Sequence, residues 1–84
     1  MKDMLQEMIE KRLFVENELS AMLRRACRGG WFVGLTYAFD GANEIVTVMY
    51  SLNDGRHETD VNVTADSRRA IAKDVRKAVA ELYE

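Results

Sequence analysis

Residues 44–64 read EIVTVMYSLNDGRHETDVNVT, two runs of alternating apolar and polar residues on either side of Asn53-Asp54-Gly55. Period-two alternation marks strands with one buried face, and an Asp-Gly pair between two such runs is a strong signal for a two-residue hairpin turn. The hairpin aligns Tyr50 with His57, Val48 with Thr59 and Val46 with Val61, all on one face. A three-residue turn would instead bring Glu58 and Asp60 beside Tyr50 and Val48, and burying two unpaired carboxylates costs several kcal/mol. The two-residue turn, with Asp54-Gly55 at its tip, is therefore preferred.

Working outward, residues 31–39 form a third β-like run, joined to the first by Asp40-Gly41-Ala42-Asn43. The strands are expected over about 31–39, 44–52 and 56–64, with no proline to interrupt them. If the first turn is a four-residue loop, Phe39 faces Glu44, Tyr37 faces Val46, Leu35 faces Val48, Val33 faces Tyr50 and Trp31 faces Leu52. The core face is then Trp31, Val33, Leu35, Tyr37, Val46, Val48, Tyr50, Thr59, Val61 and Val63. The other face holds Phe32, Ile45 and Met49 as a small apolar patch beside the polar side chains of the third strand. Such a patch is either covered by a helix or offered to a partner.

Two helices flank the strands. Over about 3–28, Met4, Leu5, Met8, Val15, Leu19, Met22, Leu23 and Ala26 recur at helical period as one core-facing stripe. Arg24, Arg25 and Arg28 suit the negative end of the helix dipole, and Gly29-Gly30 can close it. Such a helix would be roughly 40 Å long, more than a small sheet needs, so it breaks near 14–17 or overhangs. Leu13, Phe14 and Ala21 lie off the stripe and are candidate partner-binding residues. Over about 67–82, capped by Asp66 or Ser67, Ile71, Val75, Ala78, Val79 and Leu82 form a second stripe, which packs on the Trp31 face. The fold class expected is a single α+β domain in α-β-β-β-α order, a three-stranded antiparallel meander with a long N-terminal and a shorter C-terminal helix.

Eighty-four residues, 48 % hydrophobic and 31 % charged, are those of one small globular domain. The single cysteine, Cys27, allows no intrachain disulfide, which points to a reducing cytoplasm. Neither a membrane-spanning apolar run nor a signal-peptide core is present, so no membrane partner is expected. The net charge of −2 is unevenly spread, being −2 over 1–23, +3 over 24–39, −5 over 40–66 and +2 over 67–84. The uniformly basic surface of a typical nucleic-acid binder is absent.

The residues able to do chemistry are few. His57, the only histidine, reads as a hairpin-end residue beside Tyr50, and Cys27 sits at a helix end whose dipole disfavours a thiolate. Glu58 and Asp60 share a strand face without the further ligands or the pocket that metal or glycosidase chemistry requires, and they suit a charged edge strand. The glycines are scattered and build no phosphate loop. No catalytic, metal or cofactor-binding residue is expected, and the chain is read as non-enzymatic.

In the C-terminal helix, Arg69, Lys73, Arg76 and Lys77 form a basic stripe, and Ser67-Arg68-Arg69-Ala70-Ile71-Ala72-Lys73 precedes or opens it. With the α-β-β-β-α order, this segment resembles the start of the final helix of the double-stranded-RNA-binding domain. The resemblance implies Arg68, Arg69 and Lys73 as phosphate contacts, with Arg76 and Lys77 extending the basic surface. One extra residue stands before Lys73, and Asp40-Gly41-Ala42-Asn43 replaces that family's groove-reading loop. The function expected first is protein interaction, through Leu13, Phe14 and Ala21 or through Phe32, Ile45 and Met49. It takes the form of a homodimer or of a phage-type or regulatory inhibitor of a larger bacterial enzyme such as a CRISPR nuclease. RNA binding is the alternative.

Overall fold

A computed structural model describes residues 4–83. The chain forms one α+β domain in the expected order. Helical residues run from Met4 to Ala26, then come strands β1 (Phe32–Asp40), β2 (Asn43–Leu52) and β3 (Gly55–Asn62) in an antiparallel meander, then the C-terminal helix, Arg68–Tyr83. Within the described residues the N-terminal helix has three parts: α1 (Met4–Leu13), a π-helical segment (Phe14–Leu19) and α2 (Ser20–Ala26). The C-terminal helix is accordingly α3.

The expected interruption near 14–17 is thus a widened turn and not a break. The Ser20 N–H reaches back to the Val15 carbonyl, five residues away, as a π turn requires. The consequence is a change of phase. Carried back from Ser20, Leu23 and Cys27 at 3.6 residues per turn, the sheet-facing line would pass through Glu16, Arg12 or Leu13, Ile9 and Leu5. With one residue inserted it passes instead through Val15, Lys11 and Met8. Met4 and Leu5, assigned to the core stripe from a single period, are exposed, and so is Ala26. The helix ends at Cys27, which is extended, and both Gly29 and Gly30 lie in the left-handed region.

The β2–β3 register is the expected one, with Tyr50 opposite His57, Val48 opposite Thr59 and Val46 opposite Val61. Leu52 pairs with Gly55, so the tip is Asn53-Asp54 and not Asp54-Gly55, as pairing Tyr50 with His57 demands. Gly55, at φ 125°, takes the unusual backbone conformation just after the tip. In the first hairpin Leu35, Tyr37 and Phe39 face Val48, Val46 and Glu44 as expected, and Asp40 also pairs with Asn43, shortening the loop to Gly41-Ala42. Beyond Gly34 the register shifts through a bulge at Val33 that places Phe32 opposite Tyr50. Phe32, expected on the second face as a partner residue, is therefore a core residue.

Both helices pack on one face of the sheet. Val15, Leu19 and Leu23 from the N-terminal helix meet Ile71, Val75 and Val79 from α3 over Leu35, Tyr37, Val46 and Val48. Ser67 caps α3, accepting the Ala70 N–H at 3.2 Å through its hydroxyl. The second face is not wrapped by the N-terminal helix: Thr36, Ala38, Glu58 and Asp60 there are exposed, and Ile45 and Met49 half-buried.

Candidate interaction surfaces

The N-terminal helix runs along the outer edge of β1 and satisfies its backbone with side chains. The Tyr37 N–H donates to Glu16 Oε2 at 2.9 Å, the Leu35 N–H donates to Ser20 Oγ at 3.1 Å, and Arg24 Nε donates to the Val33 carbonyl at 3.0 Å. Four helical residues rise about 6 Å and two strand residues about 6.6 Å, so rows spaced by four and by two run nearly in step. Gly34 leaves room for this ladder, since a Cβ there would come within 3.2 Å of Arg24 Nη2. Ser20, fully buried, also donates its hydroxyl proton to the Val15 carbonyl at 3.2 Å. One edge of the sheet is therefore closed by its own chain.

A buried polar cluster lies where α1 crosses the sheet. Glu44 is 8 % exposed and Lys11 9 %. Glu44 Oε1 accepts from Lys11 Nζ at 3.0 Å and from the Tyr37 hydroxyl at 2.5 Å, and Oε2 accepts from the Ala65 N–H at 2.7 Å. Burial would raise the Glu44 carboxyl, but these donors outweigh it and hold the group below the usual carboxylate range. Burial first, and the Glu44 hydrogen bond second, push the Tyr37 hydroxyl above its ordinary value. The Ala65 contact holds a non-glycine residue at φ 64° and so fixes the chain between β3 and α3. Beside it, Asp66 faces Asp74, and that carboxyl–carboxylate contact, with burial, raises the Asp66 carboxyl. The Glu44 carboxylate is satisfied on both oxygens and reads as structure, whereas Asp66 Oδ2 is buried with no hydrogen-bond partner among the described residues.

The remaining polar candidates are placed without a shared site. His57 stacks on Tyr50 with ring centroids 5.5 Å apart, and its Nε2 lies 2.7 Å from Asp54 Oδ1. That hydrogen bond lowers the Asp54 carboxyl. Asp60 Oδ1 accepts the Thr47 hydroxyl at 2.9 Å, and Glu58 is exposed beside it. Cys27 is half-buried, and burial raises its thiol. Among the described residues no group of three or more His, Cys, Asp or Glu could hold a metal ion, and no helix is long and apolar enough to cross a membrane.

Three surfaces stand out among the described residues. The first is an apolar strip on α1, where Met4 is 75 % exposed, Leu5 65 %, Ile9 51 % and Leu13 56 %, with Phe39 of β1 at 42 % close by. Leu13 was expected here. Phe14 and Ala21 were not brought to it: both are half-buried, and Phe14 packs against the core. Met4, Leu5, Ile9 and Phe39 went unrecognised, although Leu5, Ile9 and Leu13 at spacing four trace one line down a helix. The second surface is an open groove of about 710 Å³ between α2 and α3, lined by Met22, Trp31, Val79 and Ala80 among others. The third is the basic face of α3, on which Arg68, Arg69, Lys73, Arg76 and Lys77 are all exposed. It is not uniformly basic, because Arg68 shares a depression with Glu7 and Glu10.

No known protein family, curated protein or solved structure matches the chain.

Proposed function

We propose that this chain is a non-enzymatic protein-interaction module whose contact surface is the α1 strip, Met4, Leu5, Ile9 and Leu13 with Phe39. The observation that carries the reading is the exposure of five large apolar side chains on one end of a small domain. A patch of that kind, of the order of a few hundred Å² and rimmed by polar residues, is typical of partner sites. A homodimer and an inhibitor of a larger bacterial enzyme, a CRISPR nuclease included, are two forms of this reading, and a reducing cytoplasm suits the single free cysteine. Ile45 and Met49, half-buried on the open sheet face, are a lesser second contact. RNA binding through α3 draws support from the exposure of its five basic residues. It ranks second because Glu7 and Glu10 stand next to Arg68, where a phosphate would have to approach.

The test is a photo-crosslinking amino acid placed at Ile9, with the same group at exposed Asn53 of the β2–β3 turn as control, in native lysate and with the purified chain alone. Adducts to protein at position 9 well above those at position 53 are expected. Equal, background-level labelling at both positions would remove the strip as a contact surface.

A further inference from the structure

Asp66 Oδ2 is buried and meets no donor among the described residues, and the group that Asp66 faces is a second carboxylate, Asp74 in the second turn of α3. We infer that Asp66 and Asp74 hold one proton between them in the folded chain, and that its loss as pH rises loosens the entry of α3, so that the joint between β3 and α3 is a pH-sensitive latch. The inference stands apart from the use proposed for the strip.

Hydrogen-bond satisfaction is the first argument. A buried acceptor without a donor is destabilising, and two ionised carboxylates in contact repel. One proton removes both faults, because a protonated carboxyl donates its O–H to the other and the pair then carries a single negative charge. The other charged groups that face Asp66 are Glu44 from β2 and Lys11 from α1. Glu44 adds to the repulsion, and Lys11 is engaged by Glu44 at 3.0 Å. Arg68, just along the chain, lines the depression that holds Glu7 and Glu10. Contact with Asp74, then burial, raise the Asp66 carboxyl, in keeping with a retained proton.

Place in the fold is the second argument. Asp66 stands between Ala65, which is held at φ 64° with its N–H on Glu44 Oε2, and Ser67, which caps α3. Its own N–H donates to the carbonyl of buried Val63 at 2.9 Å, closing the turn out of β3. The proton shared with Asp74 ties this turn to the body of the helix. A non-glycine residue in the left-handed region persists only while its surroundings hold it, so the turn at Ala65 is what relaxes when the tie is lost. The folded carboxyl is raised above its unfolded value, so its contribution is fully present below the unfolded value and is lost as pH rises through the folded one, the reverse of Glu44.

Carbon-13 NMR of the side-chain carboxyl groups from about pH 3 to about pH 8 tests the shared proton in the full chain. Asp66 is expected to titrate above the ordinary aspartate range, with the Asp74 resonance registering the same step. Asp74→Asn supplies a permanent amide donor without charge and should move the Asp66 midpoint to lower pH. Amide exchange tests the latch. The Ala65 and Ile71 amides of Asp74→Asn should exchange roughly tenfold or more slowly than those of the parent at about pH 7, and within about twofold of them at about pH 4. Asp66→Asn places the donor on the other partner and should give the same exchange pattern should Asp74→Asn lose helical circular dichroism. An Asp66 midpoint in the ordinary range, or one that Asp74→Asn leaves in place, would overturn the shared proton. Equal exchange in parent and variant across the pH range would overturn the latch.

Discussion

Glu44 gathers a lysine, a tyrosine and a backbone amide onto one buried carboxylate. Removing its charge leaves Lys11 buried without a counter-ion, so Glu44→Gln is expected to cost about 3–5 kcal/mol in urea-unfolding stability. The pH dependence has a definite sign. The folded carboxyl is held below its unfolded value, so its contribution is fully present above the unfolded pKa and is lost as pH falls through the lower folded one. The stability gap between the parent and Glu44→Gln should therefore narrow on the acid side, below about pH 4.5, and stay constant between about pH 6 and 8. A gap that instead narrows as pH rises would assign the stabilisation to another group. Little of this was legible beforehand. Lys11 and Glu44 stand 33 residues apart, and a buried ion pair leaves no periodic trace in either segment. Phe32 was misplaced for a similar reason: alternation alone sets it on the second face, and only the bulge at Val33 turns it inward.

At the level of elements, the β1 edge ladder and the π segment belong together. Rows such as Glu16-Ser20-Arg24 and Lys11-Val15-Leu19-Leu23 advance by four residues and would drift by about 40° at each step in a regular α-helix. The wider π turn takes up that drift midway and keeps one row on the β1 edge and the other in the core. Ser20 is the hinge of the arrangement, buried and bonded both to Val15 and to Leu35. Ser20→Ala strands the Leu35 N–H, and a loss of about 1–3 kcal/mol is expected by chemical denaturation, with faster amide exchange at Leu35. Unchanged exchange there would show that the ladder does not hold the strand. The strands were legible because period two survives any helix geometry, and Tyr50 with His57 was readable from the hairpin. The end of the N-terminal helix and the start of α3 were also legible to within a few residues, while the expected start at about residue 3 lies outside the described residues. The facing of α1 was not, because one inserted residue has no compositional mark and a single 3.6-residue period carries the stripe straight through it.

The whole molecule measures 45 × 25 × 16 Å, long for 84 residues. Its apolar strip at the Phe39 end of β1 and its groove at the Trp31 end give it direction. On this view the π segment is what makes the strip: it turns Lys11 and Met8 toward the sheet and Leu5 and Ile9 outward. Deleting Glu18, an exposed residue of that segment, should restore a regular helix, rotate α1 by about 100° and bring Ile9 inward. The most direct measurement is alkylation of Ile9→Cys in a Cys27→Ala background, with and without Glu18. The thiol at position 9 is expected to react at near the rate of an unstructured peptide in the full-length chain, and at least about tenfold more slowly in the deletion variant. A protected thiol in the full-length chain, or equal rates in the two, would contradict the claim that the π segment exposes this surface.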